Sequence, residues 1–72
     1  MQQSQRTSVS NTYYNLVSVL YHALETAQTT SAYIQDAQQS GNQQLVQFFQ
    51  SVQQTANQQA QQAQQLLARS SR

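Results

Sequence analysis

Asp36-Ala37-Gln38-Gln39-Ser40-Gly41-Asn42-Gln43-Gln44-Leu45 is the stretch that decides the fold. Gly41 is the one glycine of the chain and proline is absent, so only here does the sequence itself interrupt a helix. Glycine takes the left-handed conformation just past a helix C-terminus without steric cost, and Asn42 offers the side-chain oxygen favoured at the start of the next helix. The stretch predicts a turn over 40–42 with a helix on either side.

Working back from the turn, Ile34, Ser31, Ala27, Leu24, Leu20, Val17 and Tyr13 recur in alternating steps of three and four, flanked by Leu16, Ala23, Thr30 and Ala37. At 100° per residue they form one broad stripe, the pattern of an amphipathic helix packed against others. Ser8, Ser10 and Asn11 each offer a capping oxygen at its start. The pattern predicts helix 1 over about 11–39, preceded by a disordered tail over 1–10. Working forward, Leu45, Phe49, Val52, Ala56, Gln59, Ala63 and Leu66 repeat with the same period, flanked by Phe48, Ala60 and Leu67. Glutamine and alanine are good helix formers, and Arg69 suits the negative end of a helix dipole. Helix 2 is expected over about 43–69, so that one hairpin unit fills 11–70.

Two long helices of nearly equal length joined by three residues fold back antiparallel. Counting from the turn places Ile34 against Phe49, Ala27 against Ala56, Leu24 against Gln59 and Ala60, Leu20 against Ala63, and Val17 against Leu66. Each stripe is wider than one neighbour covers, and the Ala27/Ala56 layer is thin. A second hairpin would supply the missing volume, which predicts a homodimeric, all-α four-helix bundle. Its core and dimer interface are expected from Tyr13, Leu16, Val17, Leu20, Leu24, Ala27, Ile34, Leu45, Phe48, Phe49, Val52, Ala56, Ala63 and Leu66. Below roughly 80 residues a lone core seldom supplies more than ~3 to 5 kcal/mol, and with 72 residues and no cysteine this chain has no disulfide to add. Self-association is therefore the expected source of stability.

Glutamine makes up 19 of the 72 residues, and tracts of this kind are disordered and prone to β-aggregation when they ignore helical periodicity. Here Gln43, Gln47, Gln50, Gln54, Gln58, Gln61 and Gln65 all fall on the side of helix 2 away from its stripe, together with Ser51 and Asn57. They stand where Glu, Lys and Arg cover an ordinary helix. Gln59 is the exception, expected inside the stripe and in need of a hydrogen-bond partner there.

Charged residues amount to 7% of the chain, against about 25% in an ordinary domain, and the net charge is +1. No basic face is available to neutralise phosphates, so nucleic acid is not an expected partner. No run reaches the ~18 apolar residues of a membrane span, and the N-terminus has no apolar core of an export signal. A cytoplasmic, or purely recombinant, setting is expected, with no small-molecule substrate.

The side chains that carry chemistry are few. His22 and Glu25 lie three apart on one face of helix 1, a spacing shared by a surface pair and by half of a metal or acid–base site; both project away from the stripe, which favours the solvated pair. Asp36 also faces outward. Tyr13, Tyr14, Tyr21 and Tyr33 have no interleaved basic residues to make them a stacking platform for bases, so packing is their expected use. No nucleophile, base and acid set can be assembled. Catalytic, cofactor-binding and metal-ligating residues are expected to be none.

The run Tyr14-Asn15-Leu16-Val17-Ser18-Val19-Leu20-Tyr21-His22-Ala23-Leu24, followed by Tyr33-Ile34-Gln35-Asp36-Ala37, Ser40-Gly41-Asn42 and Leu45-Val46-Gln47-Phe48-Phe49, resembles a small ferritin-like domain of the kind found in cyanobacteria. The resemblance spans about three-quarters of the chain and rests on apolar spacing. It implies a hairpin that dimerises into a ferritin-like four-helix bundle. Iron proteins of that kind draw inward Glu and Glu-x-x-His ligands from their helices. Here the matching position of helix 1 is Gln28, and helix 2 holds neither Glu nor His, so the resemblance does not extend to oxidase chemistry. A ferritin-like pattern without lysine and with glutamine at surface positions suggests an engineered, charge-depleted scaffold. A natural helical interaction module and a ferritin-like metal-binding protein are the alternatives.

Overall fold

A computed structural model describes residues 11–70, Ser70 through its backbone alone. Two helices account for the described chain: α1, Asn11–Gln39, and α2, Gln43–Ser70, packed side by side as an antiparallel hairpin. The tail expected over 1–10 lies outside the described residues.

The turn is built by backbone hydrogen bonds that close the end of α1. The Asn42 amide donates to the Ala37 carbonyl and the Gly41 amide to the Gln38 carbonyl, both at 3.1 Å. This six-to-one and five-to-two pattern is the Schellman arrangement, and it holds Gly41 at a φ of +74°. Asn42 then caps α2, its Oδ1 accepting from the Leu45 amide at 3.1 Å. One residue thus ends one helix and starts the next. Nothing lies near a Cβ placed on Gly41, so Gly41→Ala meets only the backbone penalty of the left-handed region, about 1 to 2 kcal/mol. A drop of roughly 4 to 8 °C in melting temperature per kcal/mol is expected in thermal unfolding.

Both helices are rotated about their axes relative to the seam counted from the turn. The buried residues are Ala23, Thr30 and Ala37 of α1 and Val46, Ala56, Ala60 and Ala63 of α2. Leu16, Leu20, Ala27, Ile34, Phe49 and Val52 are half-buried beside them. Leu24 and Gln59, expected to face one another inside the seam, are both exposed, and Val17 and Leu66 are likewise outside it. The correction has a packing cause. Small side chains let two helices approach closely and gain dispersion contacts along their length, so the alanine edges of both stripes turn inward and the leucines move to the flanks. Val46, 3% exposed and absent from the expected core, fills the seam beside the turn. Leu24→Gln should accordingly shift hairpin stability by no more than about 0.5 kcal/mol. Ala23→Leu, one position away, should cost about 1 to 3 kcal/mol by overpacking; chemical denaturation of the two variants checks the rotation.

The seam includes two polar residues, and both are satisfied. Thr30 is 1% exposed, and its hydroxyl donates to the Thr26 carbonyl one turn back at 2.6 Å. Gln53 crosses from α2, its Nε2 donating to the Ala27 carbonyl and to Ser31 Oγ, each at 2.8 Å. Among the described residues no buried side-chain nitrogen or oxygen lacks a partner.

Candidate functional site

The hairpin measures 49 × 24 × 15 Å, two helices wide and one helix thick. A slab of this thickness has two broad faces, and a helix packed on one neighbour leaves part of an apolar stripe on each of them. The rotation of α1 and α2 decides what each face presents.

On one face, called here the groove face, a shallow groove of about 530 Å³ runs between the helices, its walls including Val19, Ala23 and Thr26 of α1 and Val52, Thr55 and Ala56 of α2. Toward the open end of the hairpin it continues into a hollow walled by Leu16, Val19, Gln59 and Leu66. Toward the turn, another hollow lies among Tyr33, Asp36, Leu45 and Phe49. The Tyr33 ring packs on that of Phe49 with centroids 5.7 Å apart, and Phe49 in turn on Phe48 at 5.8 Å. Phe48 remains 58% exposed and Tyr33 48%, with Val19, Leu45 and Leu66 also exposed. The middle of this face is lined by small residues together with His22, Val52 and Gln59, and its two ends carry large apolar ones.

The opposite face carries Tyr13, Val17 and Leu24, all exposed, on the side of α1 where Ser31 meets Gln53. They share that side because each lies within about 40° of Ser31 around a helix of 100° per residue. Its α2 half offers amides, Gln53 and Asn57 among them. The apolar flank of α1 is therefore split between the two faces, and that of α2 falls on the groove face alone.

The expected core and interface residues divide accordingly. Ala56 and Ala63 are buried in the seam; Leu16, Leu20, Ala27, Ile34, Phe49 and Val52 border it; Leu45, Phe48 and Leu66 lie on the groove face; Tyr13, Val17 and Leu24 lie opposite. Gln59 has no place in the seam and instead forms part of the groove wall. Gln53, to which the sequence pattern assigned no role, makes the cross-helix contacts. Its only sequence signal is that it sits one residue beyond Val52, on the edge toward which α2 turns.

The remaining functional groups are exposed, His22 along the rim of the groove. His22 Nδ1 lies 3.6 Å from Glu25 Oε1, with both side chains well exposed, and the Tyr21 ring meets the His22 ring edge-on at 5.3 Å. An exposed pair of this kind typically contributes ~0 to 1 kcal/mol. Among the described residues no three of His, Cys, Asp and Glu gather where a metal could be held. Nor is any described helix long and apolar enough to cross a membrane. Gln43, Gln47, Gln50, Gln54, Gln58, Gln61 and Gln65 are all exposed.

No protein-family model matches the chain, and neither a curated protein nor a solved structure matches it. What the fold and its surfaces define is a class of object: a helical hairpin with large apolar side chains on both of its faces.

Proposed function

We propose that the chain is a structural, self-associating module: two hairpins pack into a four-helix bundle that serves as a scaffold and performs no catalysis. The observation that carries this reading is the slab itself, 15 Å thick, with Tyr33, Phe48 and Leu66 exposed on one face and Val17 and Leu24 on the other. Burial of apolar surface contributes about 25 cal/mol per Å², so covering one such face adds substantially to a core built largely from alanine. The ferritin-like spacing and the amide-coated outer surface support a further element of the proposal. The scaffold is a charge-depleted form of a ferritin-like bundle in which neutral glutamines occupy the positions of surface charges. Burial dominates folding and exposed ion pairs add little, so such a surface is compatible with a stable bundle.

Thermal unfolding followed by circular dichroism over a hundredfold dilution tests the proposal. A melting temperature that falls with dilution yet barely responds to added salt is the expected result, since association stabilises the folded chain by mass action and few charges are present to be screened. A melting temperature independent of concentration, or a chain that becomes helical only when another protein is added, would overturn it in favour of an interaction module.

A further inference from the structure

We infer that the groove face is the surface that receives the second copy, with the two hairpins antiparallel and their turns at opposite ends. This inference rests on the scaffold reading and specifies its interface. On the groove face, Val19 and Tyr33 stand seven residues either side of Thr26 in α1, and Phe48 and Leu66 stand nine residues either side of Asn57 in α2. Thr26 stands level with Ala56, the neighbour of Asn57. Tyr33 packs on Phe49, and counting seven residues away from that contact along each helix reaches Thr26 and Ala56, which wall the same groove. A single two-fold axis at this level therefore brings Phe48 onto Leu66 of the second copy and Val19 onto Tyr33 of the second copy. Both exposed apolar ends of the face are matched by one operation, as an isologous interface requires.

Three further features agree with the same axis. The middle of the face includes small residues, Ala23 and Thr26 in α1 and Thr55 and Ala56 in α2, beside the larger His22, Val52 and Gln59, and it is here that helices related by the axis would approach most closely. Thr55 and Gln59 lie two residues either side of Asn57, so the Gln59 amide of each chain meets the Thr55 hydroxyl of the other and gains there the partner that the seam does not provide. The level matches at the ends as well: Arg69 and Leu45 are equidistant from Asn57, so Arg69 of the second copy arrives at the level of Leu45. The 49 × 24 Å outline of the face exceeds the ~800 Å² per partner of a standard interface. The opposite face offers no such match, because its apolar residues belong to α1 and its α2 half is polar.

The chain contains no cysteine, so single cysteines report contacts directly. Thr26→Cys places a thiol at the axis, where the Cα atoms of the two copies come within disulfide range, about 4.4 to 6.8 Å. Mild oxidation of this variant, its helicity first checked by circular dichroism, should convert most of it to covalent dimer. Ser31→Cys on the opposite face should stay monomeric on a denaturing gel. An equimolar mixture of Phe48→Cys and Leu66→Cys, after subunit exchange, should give mainly the mixed disulfide. A dimer in sedimentation that cross-links through Ser31→Cys, or through neither single cysteine, would overturn the groove-face packing and leave the bundle proposal standing. A monomer in sedimentation would remove both.

Discussion

Phe48→Gln is expected to weaken the dimer about thirtyfold to a thousandfold while leaving the hairpin helical at high concentration. Phe48 is 58% exposed in the hairpin, so a little over half of its surface remains to be covered on association. Full burial of such a side chain stabilises by about 1.5 to 3 kcal/mol, which leaves roughly 1 to 2 kcal/mol available per copy. The two-fold arrangement counts it twice, giving about 2 to 4 kcal/mol, and 1.4 kcal/mol is tenfold in affinity. Tyr14 provides the comparison. It is 63% exposed yet belongs to neither the seam nor the groove face, so Tyr14→Gln should leave the dissociation constant unchanged in the same sedimentation series.

Ala56→Asp is expected to abolish folding altogether. Ala56 is 5% exposed in the seam, and among the described residues there is no lysine and the one arginine, Arg69, stands more than three helical turns further along α2. Burying an uncompensated charge costs several kcal/mol, as much as a small hairpin has to lose. Far-ultraviolet circular dichroism should show a largely unstructured chain at neutral pH, with partial recovery of helicity in acid, where the side chain is neutral. Asn57→Asp, one residue along and exposed, should remain helical at both pH values.

The fold was legible where local chemistry decides it. Gly41 and Asn42 carry the turn because only a residue free to adopt φ near +74° can close α1 in this way, and because Asn42 can cap α2 through its side chain. The uninterrupted 3.6-residue period on either side then requires two helices. The rotation of each helix was not legible in the same way. A stripe more than 100° wide contains several possible contact lines, and hydrophobicity alone ranks Leu24 above Ala23 for the seam. Backbone approach ranks them in reverse, because a small side chain lets two helices come closer than leucine does, and Ala23 is the one buried. The same competition displaced Gln59 into the groove wall and drew Val46 and Gln53 inward. Hydropathy locates the apolar surface, and side-chain size divides it between the seam within one hairpin and the surface left for a second.

The flanks left outside the seam are what calls for a second copy. A hairpin that met all its burial needs internally would carry its leucines inward and its alanines at the rim, and here the order is the opposite. Sedimentation equilibrium on the unmodified chain over a wide concentration range tests this most directly. The expected result is a species of twice the 8.1 kDa chain mass that dissociates only on dilution. A fully helical species of single chain mass at every concentration would contradict it, since the exposed flanks would then need no cover.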